Sequence, residues 1–314
     1  MRKIFHSFFL LLAVSVLAAA GARACESCSC ALSRASGEHA LDQKNWFFDA
    51  TMEGVDWDSR DAQAAHTLHH QGHDVHNKTH EEFYHFSLGM DPVEELTLFA
   101  ELPYVARHST DVDNHATLGQ KQTSEGLGDM KLSAIYRFWR KGNDFLGLVA
   151  GVKLPTGATG EKNPQGTRFE PELQPGSGST DATVGGAFQA ERLPFTLHGN
   201  ALYTFKNEGD QDFRFGDLFS SYLFLDTAIS PAPAPWQAWL GVDVNLQAEG
   251  KHEVLGVASD DSGGTTLLLG PSLKIKMNDR VSIFGNILLP VVQDLGGVHQ
   301  EQDFIWNASA KIAW

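Results

Sequence analysis

Phe304-Ile305-Trp306-Asn307-Ala308-Ser309-Ala310-Lys311-Ile312-Ala313-Trp314 ends the chain, and its parity decides the fold. Phe304, Trp306, Ala308, Ala310, Ile312 and Trp314 fall on one face, and Asn307, Ser309 and Lys311 on the other. Side chains in a strand point alternately to opposite faces, so this pattern predicts a β-strand with one apolar face. Trp236, Ala238, Leu240, Val242, Val244, Leu246 and Ala248 alternate in the same way with Gln237, Trp239, Gly241, Asp243, Asn245, Gln247 and Glu249. Both runs last about a dozen residues, which suits a tilted membrane strand better than the average soluble one.

Outward from these two segments the same period recurs near residues 45–56, 82–91, 95–107, 126–139, 144–155, 180–191, 194–206, 217–229, 264–277 and 280–290, with the quoted pair at 235–249 and 303–314. That makes twelve strands. The segment at 217–229 is the ambiguous one, because Tyr222, Leu223, Phe224 and Leu225 are contiguous. Connections alternate between short, such as 91–94 and 140–143, and long, at 57–81, 108–125, 156–179, 207–216, 250–263 and 291–302. Short turns at one end and long loops at the other mark an outer-membrane barrel with an even strand number. Lipid offers the backbone no hydrogen-bond partners, so a sheet within it must close on itself. The expected fold is therefore all-β, a transmembrane antiparallel β-barrel over residues 45–314 in the outer membrane of a Gram-negative cell. Leu132, Ala134, Tyr136 and Phe138 should face lipid, and the polar partners Asp129, Lys131, Ser133 and Arg137 a wet lumen.

Composition narrows the function. The 314 residues carry 24 Lys+Arg against 39 Asp+Glu, a net charge of -15, with no basic stripe of the kind that nucleic acid requires. Twenty Phe, seven Trp and five Tyr exclude a disordered chain. Arg2 and Lys3, the apolar run Ile4 to Ala20, and Ala22-Arg23-Ala24 before Cys25 read as a secretory signal peptide over 1–24. Residues 25–44 then form a periplasmic extension or a partial plug. No later stretch approaches eighteen apolar residues, so no helical span is expected.

Three segments carry a family resemblance. Glu125-Gly-Leu-Gly-Asp-Met-Lys-Leu-Ser-Ala-Ile-Tyr-Arg-Phe138, Gly151-Val-Lys-Leu-Pro-Thr-Gly157 and Leu173-Gln-Pro-Gly-Ser-Gly-Ser-Thr-Asp181 resemble the transporter-like outer-membrane family labelled "putative meta-pathway of phenol degradation". The resemblance implies a barrel that passes small, apolar or aromatic solutes. Trp314 resembles the terminal signal of outer-membrane barrels, which implies outer-membrane lipid and the barrel assembly machinery as partners.

Two clusters suggest metal chemistry. His66, His69, His70, His73, His76 and His80 lie in the first long loop with Asp74, Glu81 and Glu82, a donor set that zinc, copper or nickel accepts. His108 and His115 follow in the next loop. Such tracts also occur as solvated loops that bind nothing specific. Cys25, Cys28 and Cys30 would hold a soft metal ion or form one local disulfide with a thiol left over. His85 and Ser87 share the polar face of the second strand, the spacing of a nucleophile and its base, though pore-lining polarity accounts for them more simply. Lys153, Asp181, Asp243 and Lys274 join Asp129, Lys131 and Arg137 as expected pore-lining charges that set selectivity. No phosphate loop, dinucleotide fingerprint or calcium loop occurs, and no cofactor is expected. The leading expectation is a channel passing a small-molecule solute by diffusion. The alternatives are a metal-handling surface protein for divalent or soft metal ions, and a barrel-bound lipid hydrolase.

Overall fold

The computed structural model describes residues 46–58, 76–111, 121–230, 236–260, 262–296 and 301–314. The signal segment, the extension 25–44 and Cys25, Cys28 and Cys30 lie outside them, as do His66, His69, His70, His73 and His115. In chain order the strands are β1 (Trp46–Asp58), β2 (His76–Val93), β3 (Leu96–Asp111), β4 (Lys121–Leu127), β5 (Lys131–Lys141), β6 (Asp144–Lys153), β7 (Asp181–Arg192) and β8 (Phe195–Phe205). They continue with β9 (Phe213–Arg214), β10 (Leu218–Ala228), β11 (Gln237–Glu249), β12 (Glu253–Val254), β13 (Val257–Ala258), β14 (Gly264–Lys276), β15 (Val281–Leu295) and β16 (Glu301–Ala313).

The sheet runs β2-β1-β16-β15-β14-β11-β10-β8-β7-β6-β5-β3-β4, and the β2–β3 pairing closes it. The ring has twelve positions, because β4 and β5 stack end to end along β3: Tyr104 to Thr110 pair with β4, and Leu96 to Glu101 with β5. The seam is β1 against β16, from Phe47↔Ala313 to Asp58↔Glu301. Beyond it Trp46 and Trp314 exchange backbone hydrogen bonds of 3.2 and 2.9 Å. Closure leaves the wall no edge along that seam.

The outer face is apolar, as the alternation requires. Leu88, Leu148, Leu240, Ile287, Leu289 and Ile312 are among its exposed side chains. Trp46, Trp139, Trp236 and Trp314 collect near the short turns, and Tyr84, Tyr104 and Tyr203 nearer the loops. A continuous apolar wall between aromatic rows is a lipid-facing surface. The β10 ambiguity resolves with Leu218, Ser220, Tyr222 and Phe224 inward and Phe219, Ser221, Leu223 and Leu225 outward.

Three expectations change. The second strand begins at His76 instead of near residue 82, because its polar upper part is paired on both sides, for example Thr79 with Trp57 and Ser109. Residues 126–139 are broken at Gly128–Met130: Gly128 N–H still donates to Pro103 O at 2.8 Å, in step with Tyr104↔Leu127, and the register has shifted by one residue where Glu101 pairs with Lys131. The lumen is also not simply a wet polar face. Val55, Phe83, Val105, Tyr222, Phe224, Leu268, Leu288 and Ile305 form one inward apolar cluster, and Phe47, Phe99, Ile135, Phe145, Val149, Ala187, Leu202 and Ala313 a second. A barrel of this size is narrow enough for inward side chains from different strands to meet, so they bury one another.

Candidate functional site

The connection from β6 to β7, residues 154–180, folds inward. Leu154 N–H donates to Met130 O (2.8 Å) and Ala158 N–H to Leu127 O (2.9 Å), so the chain first follows the broken β4–β5 wall. It then turns back through a single 3-10 turn at Pro171–Leu173, with Phe169, Leu173, Gln174 and Ser177 buried. Gln174 holds this turn: its Nε2 donates to the carbonyls of Glu161 (3.1 Å) and Phe169 (2.9 Å), and its Oε1 accepts from Glu161 N–H (2.9 Å).

Asp129, which stands in the break between β4 and β5, is the anchor. Its carboxylate accepts from the N–H groups of Gly157 and Ser177, both at 2.9 Å, and from Ser177 Oγ at 2.7 Å. Lys153 Nζ stands 3.1 Å from Asp129 and 2.9 Å from Asp181, and it also donates to the hydroxyls of Ser177 and Ser179. All three charged groups are buried. Charges removed from water are costly unless each meets an opposite charge and hydrogen bonds, which this arrangement supplies.

The turn reaches two opposite walls. Arg107 of β3 donates through Nη1 to Gln174 O (2.7 Å) while its Nε meets Glu81 at 2.5 Å. On the far side His252, just beyond β11, has Nδ1 3.0 Å from Glu172 and Nε2 3.3 Å from Glu249. The rings of Phe213 and Phe215 stand edge-on to it, with centroids 5.4 and 5.3 Å away. Burial disfavours the charged imidazole, but hydrogen bonds and attraction from Glu172 and Glu249 outweigh it and raise the pKa to about 9. β3 and β11 are six positions apart in a twelve-position ring, so residues 172–174 form a bar across the loop end of the lumen.

Beneath the bar one register row carries charge along the inner wall. It starts at the short-turn end with Lys276 of β14 and passes through Ser282, Lys311, Asp49 and Ser87. From Ser87 it climbs through Glu101, Lys131, Lys153 and Asp181 to Lys206, which lies 3.7 Å from Asp181. Lys131 is 3.5 Å from Glu101, and Lys311 lies over the Phe47 ring at 5.3 Å.

Of the residues singled out in the sequence, Asp129, Lys131, Lys153 and Asp181 come together here. Arg137 points inward near the short turns, bound to Thr97 Oγ1 (2.8 Å) and lying over Phe145. Asp243 sits on the opposite wall, accepting from Ser272 (2.5 Å) and Asn286 (2.7 Å), and Lys274 lies over Trp239. His76 and His80 are strand residues of β2, not loop residues. His80 Nδ1 is 2.7 Å from Asp56 and its Nε2 3.5 Å from Glu82. Among the described residues no group of three or more His, Cys, Asp and Glu is placed to hold a metal ion. His85 and Ser87 are buried in the lumen. His85 Nδ1 is 3.1 Å from Glu101, while its Nε2 and the Ser87 hydroxyl each lack a hydrogen-bond partner, so no nucleophile–base contact is formed. Sequence reading missed Arg107, Glu172 and His252, which meet only through the folded turn. It also missed Glu53, buried on the inner face of β1 with neither carboxylate oxygen hydrogen-bonded. The parity it shares with Phe47 and Thr51 was the available signal.

No curated protein matches the sequence. Among solved structures, the chain is similar to the COG4313 outer membrane channel from Pseudomonas putida F1, with a TM-score of 0.62, 14% identity, and coverage of 88% of this chain and 98% of that one. It is also similar to the β domain of the Bordetella autotransporter BrkA, with a TM-score of 0.51, 9% identity, and coverage of 87% and 100%. These likenesses place it among outer-membrane barrels. The family described as "Putative MetA-pathway of phenol degradation" matches residues 91–291, well over half of the sequence, and the chain belongs to that family.

Proposed function

We propose that the protein is a gated outer-membrane channel for small molecules, in which the bar at residues 172–174 keeps the lumen shut and its release opens it. The observation that carries this reading is the bar itself, held at one wall by Arg107 and at the opposite wall by His252. The bar's fastenings to the two walls are charged side chains, so it can detach there without unfolding the barrel, whose backbone ladders do not depend on them. The two inward apolar clusters favour solutes with an apolar body. The likeness to a barrel known as an outer membrane channel supports the same reading. Residues 1–24 would direct export, and 25–44 would lie on the periplasmic side.

Single-channel recording in a planar bilayer tests it. The native protein should give small, infrequent openings, and Asp129→Ala should give larger and longer ones because the loop loses its anchor. Silence from both proteins, each shown to be folded, would sink the proposal.

A further inference from the structure

We infer that the solute is a small organic anion with an apolar body, and that its charged group follows the lysine row down the inner wall. This rests on the channel reading and specifies its cargo. Lys131, Lys153 and Lys206 line one side of a small recess under the bar that opens to solvent. Phe99, Leu202 and Leu218 line the same space. Cationic nitrogens and apolar side chains around one cavity match a molecule that is acidic at one end and greasy at the other.

The charges have a direction as well as a place. Neighbouring strands lie roughly 5 Å apart, so a register row is a set of steps of that length. The trio on β5, β6 and the end of β8 stands toward the loop end, while Lys311 and Lys276 lie on the same row toward the short turns. The row holds five lysines and three carboxylates, Asp49, Glu101 and Asp181, in a chain whose net charge is -15. The excess of cations belongs to this row, a basic stripe on one wall of the lumen, while the inward carboxylates Glu53, Glu81 and Asp243 lie off it. Glu101 and Asp181 keep Lys131, Lys153 and Lys206 partly engaged, so an anion is held weakly enough to move on.

The test uses the full barrel with sodium benzenesulfonate, an anion that stays ionised and does not cross lipid as a neutral acid. Reversal potentials are recorded in a gradient of that salt and in a gradient of potassium chloride, for the native protein, Lys131→Gln and Lys311→Gln. The native channel should prefer the organic anion over sodium by about fivefold or more, the weight of one charge at close range in water. Each variant should lose most of that preference while remaining folded. Potassium chloride conductance with benzenesulfonate excluded, or a native preference for cations, overturns the inference and leaves the channel standing. Unchanged selectivity in both variants overturns the role of the row. Silence in both salts, from folded protein, overturns the channel reading and this one with it.

Discussion

Gly157 and Gly176 touch backbone to backbone: a Cβ added to Gly157 would lie 2.7 Å from the Cα of Gly176, and one added to Gly176 would lie 2.6 Å from the Cα of Gly157. The contact lets the inward loop lie flat against the wall where β4 and β5 part. It requires the absence of a side chain at both positions.

Gly176→Ala should therefore push the loop off the wall. Forcing extra volume into a packed site costs about 1–3 kcal/mol, enough to populate the detached state. Limited proteolysis should cut residues 158–172 faster in the variant, with the barrel core intact. Equal cutting rates would mean that the loop is held without this contact.

Lys153→Met should release the same loop by a different route. It leaves Asp129 and Asp181 buried together without their shared cation, a loss of about 3–5 kcal/mol when one partner of a buried pair is removed. Open probability in the bilayer should rise. Asp181→Asn combined with Lys153→Met should recover part of the closure, since it removes one of the stranded charges.

The His252 contact should depend on pH. Its pKa is raised from the ordinary 6.5 to about 9, so the folded state holds the proton more tightly than the open or unfolded one. The stabilisation is fully present below about pH 6.5 and is lost as pH rises through about 9. Channel opening should increase across that window, and His252→Gln should flatten the profile. A native profile that is flat from pH 6 to 10 would remove His252 from the latch.

Leu148 faces lipid midway along β6. Leu148→Arg should destabilise the barrel by about 2–4 kcal/mol, as measured by reversible urea unfolding in lipid vesicles. A cost near zero would mean that the outward face is misassigned.

How much could be read beforehand follows from the kind of information each feature uses. Strand parity is local, so the faces of β11 and β16 were legible, and alternating loop lengths implied closure and the number twelve. The upper part of β2 was not legible, because its polar residues show no apolar alternation and extend only by pairing with β1 and β3. Asp129, Lys153 and Asp181 were read separately as lumen charges, yet each lies in one of the three segments that carry the family resemblance. Their convergence depends on a loop folding back by some twenty residues, for which no periodic signal exists. The contact of His252 with Glu172 joins positions 80 residues apart. It could not be inferred from either side alone.

The seam between Trp46 and Trp314 has a consequence for how the chain matures. One edge of β1 pairs with β2, but the other finds its partner only in β16, so among the described residues the seam is the strand pairing of greatest sequence separation and among the costliest in loop entropy. A partly synthesised chain can form hairpins but not a sealed wall, and until β16 arrives β1 presents an open row of amide and carbonyl groups. Assembly should thus be slow and nearly all-or-none. The protein depends on being kept apart from its neighbours until the two tryptophans meet.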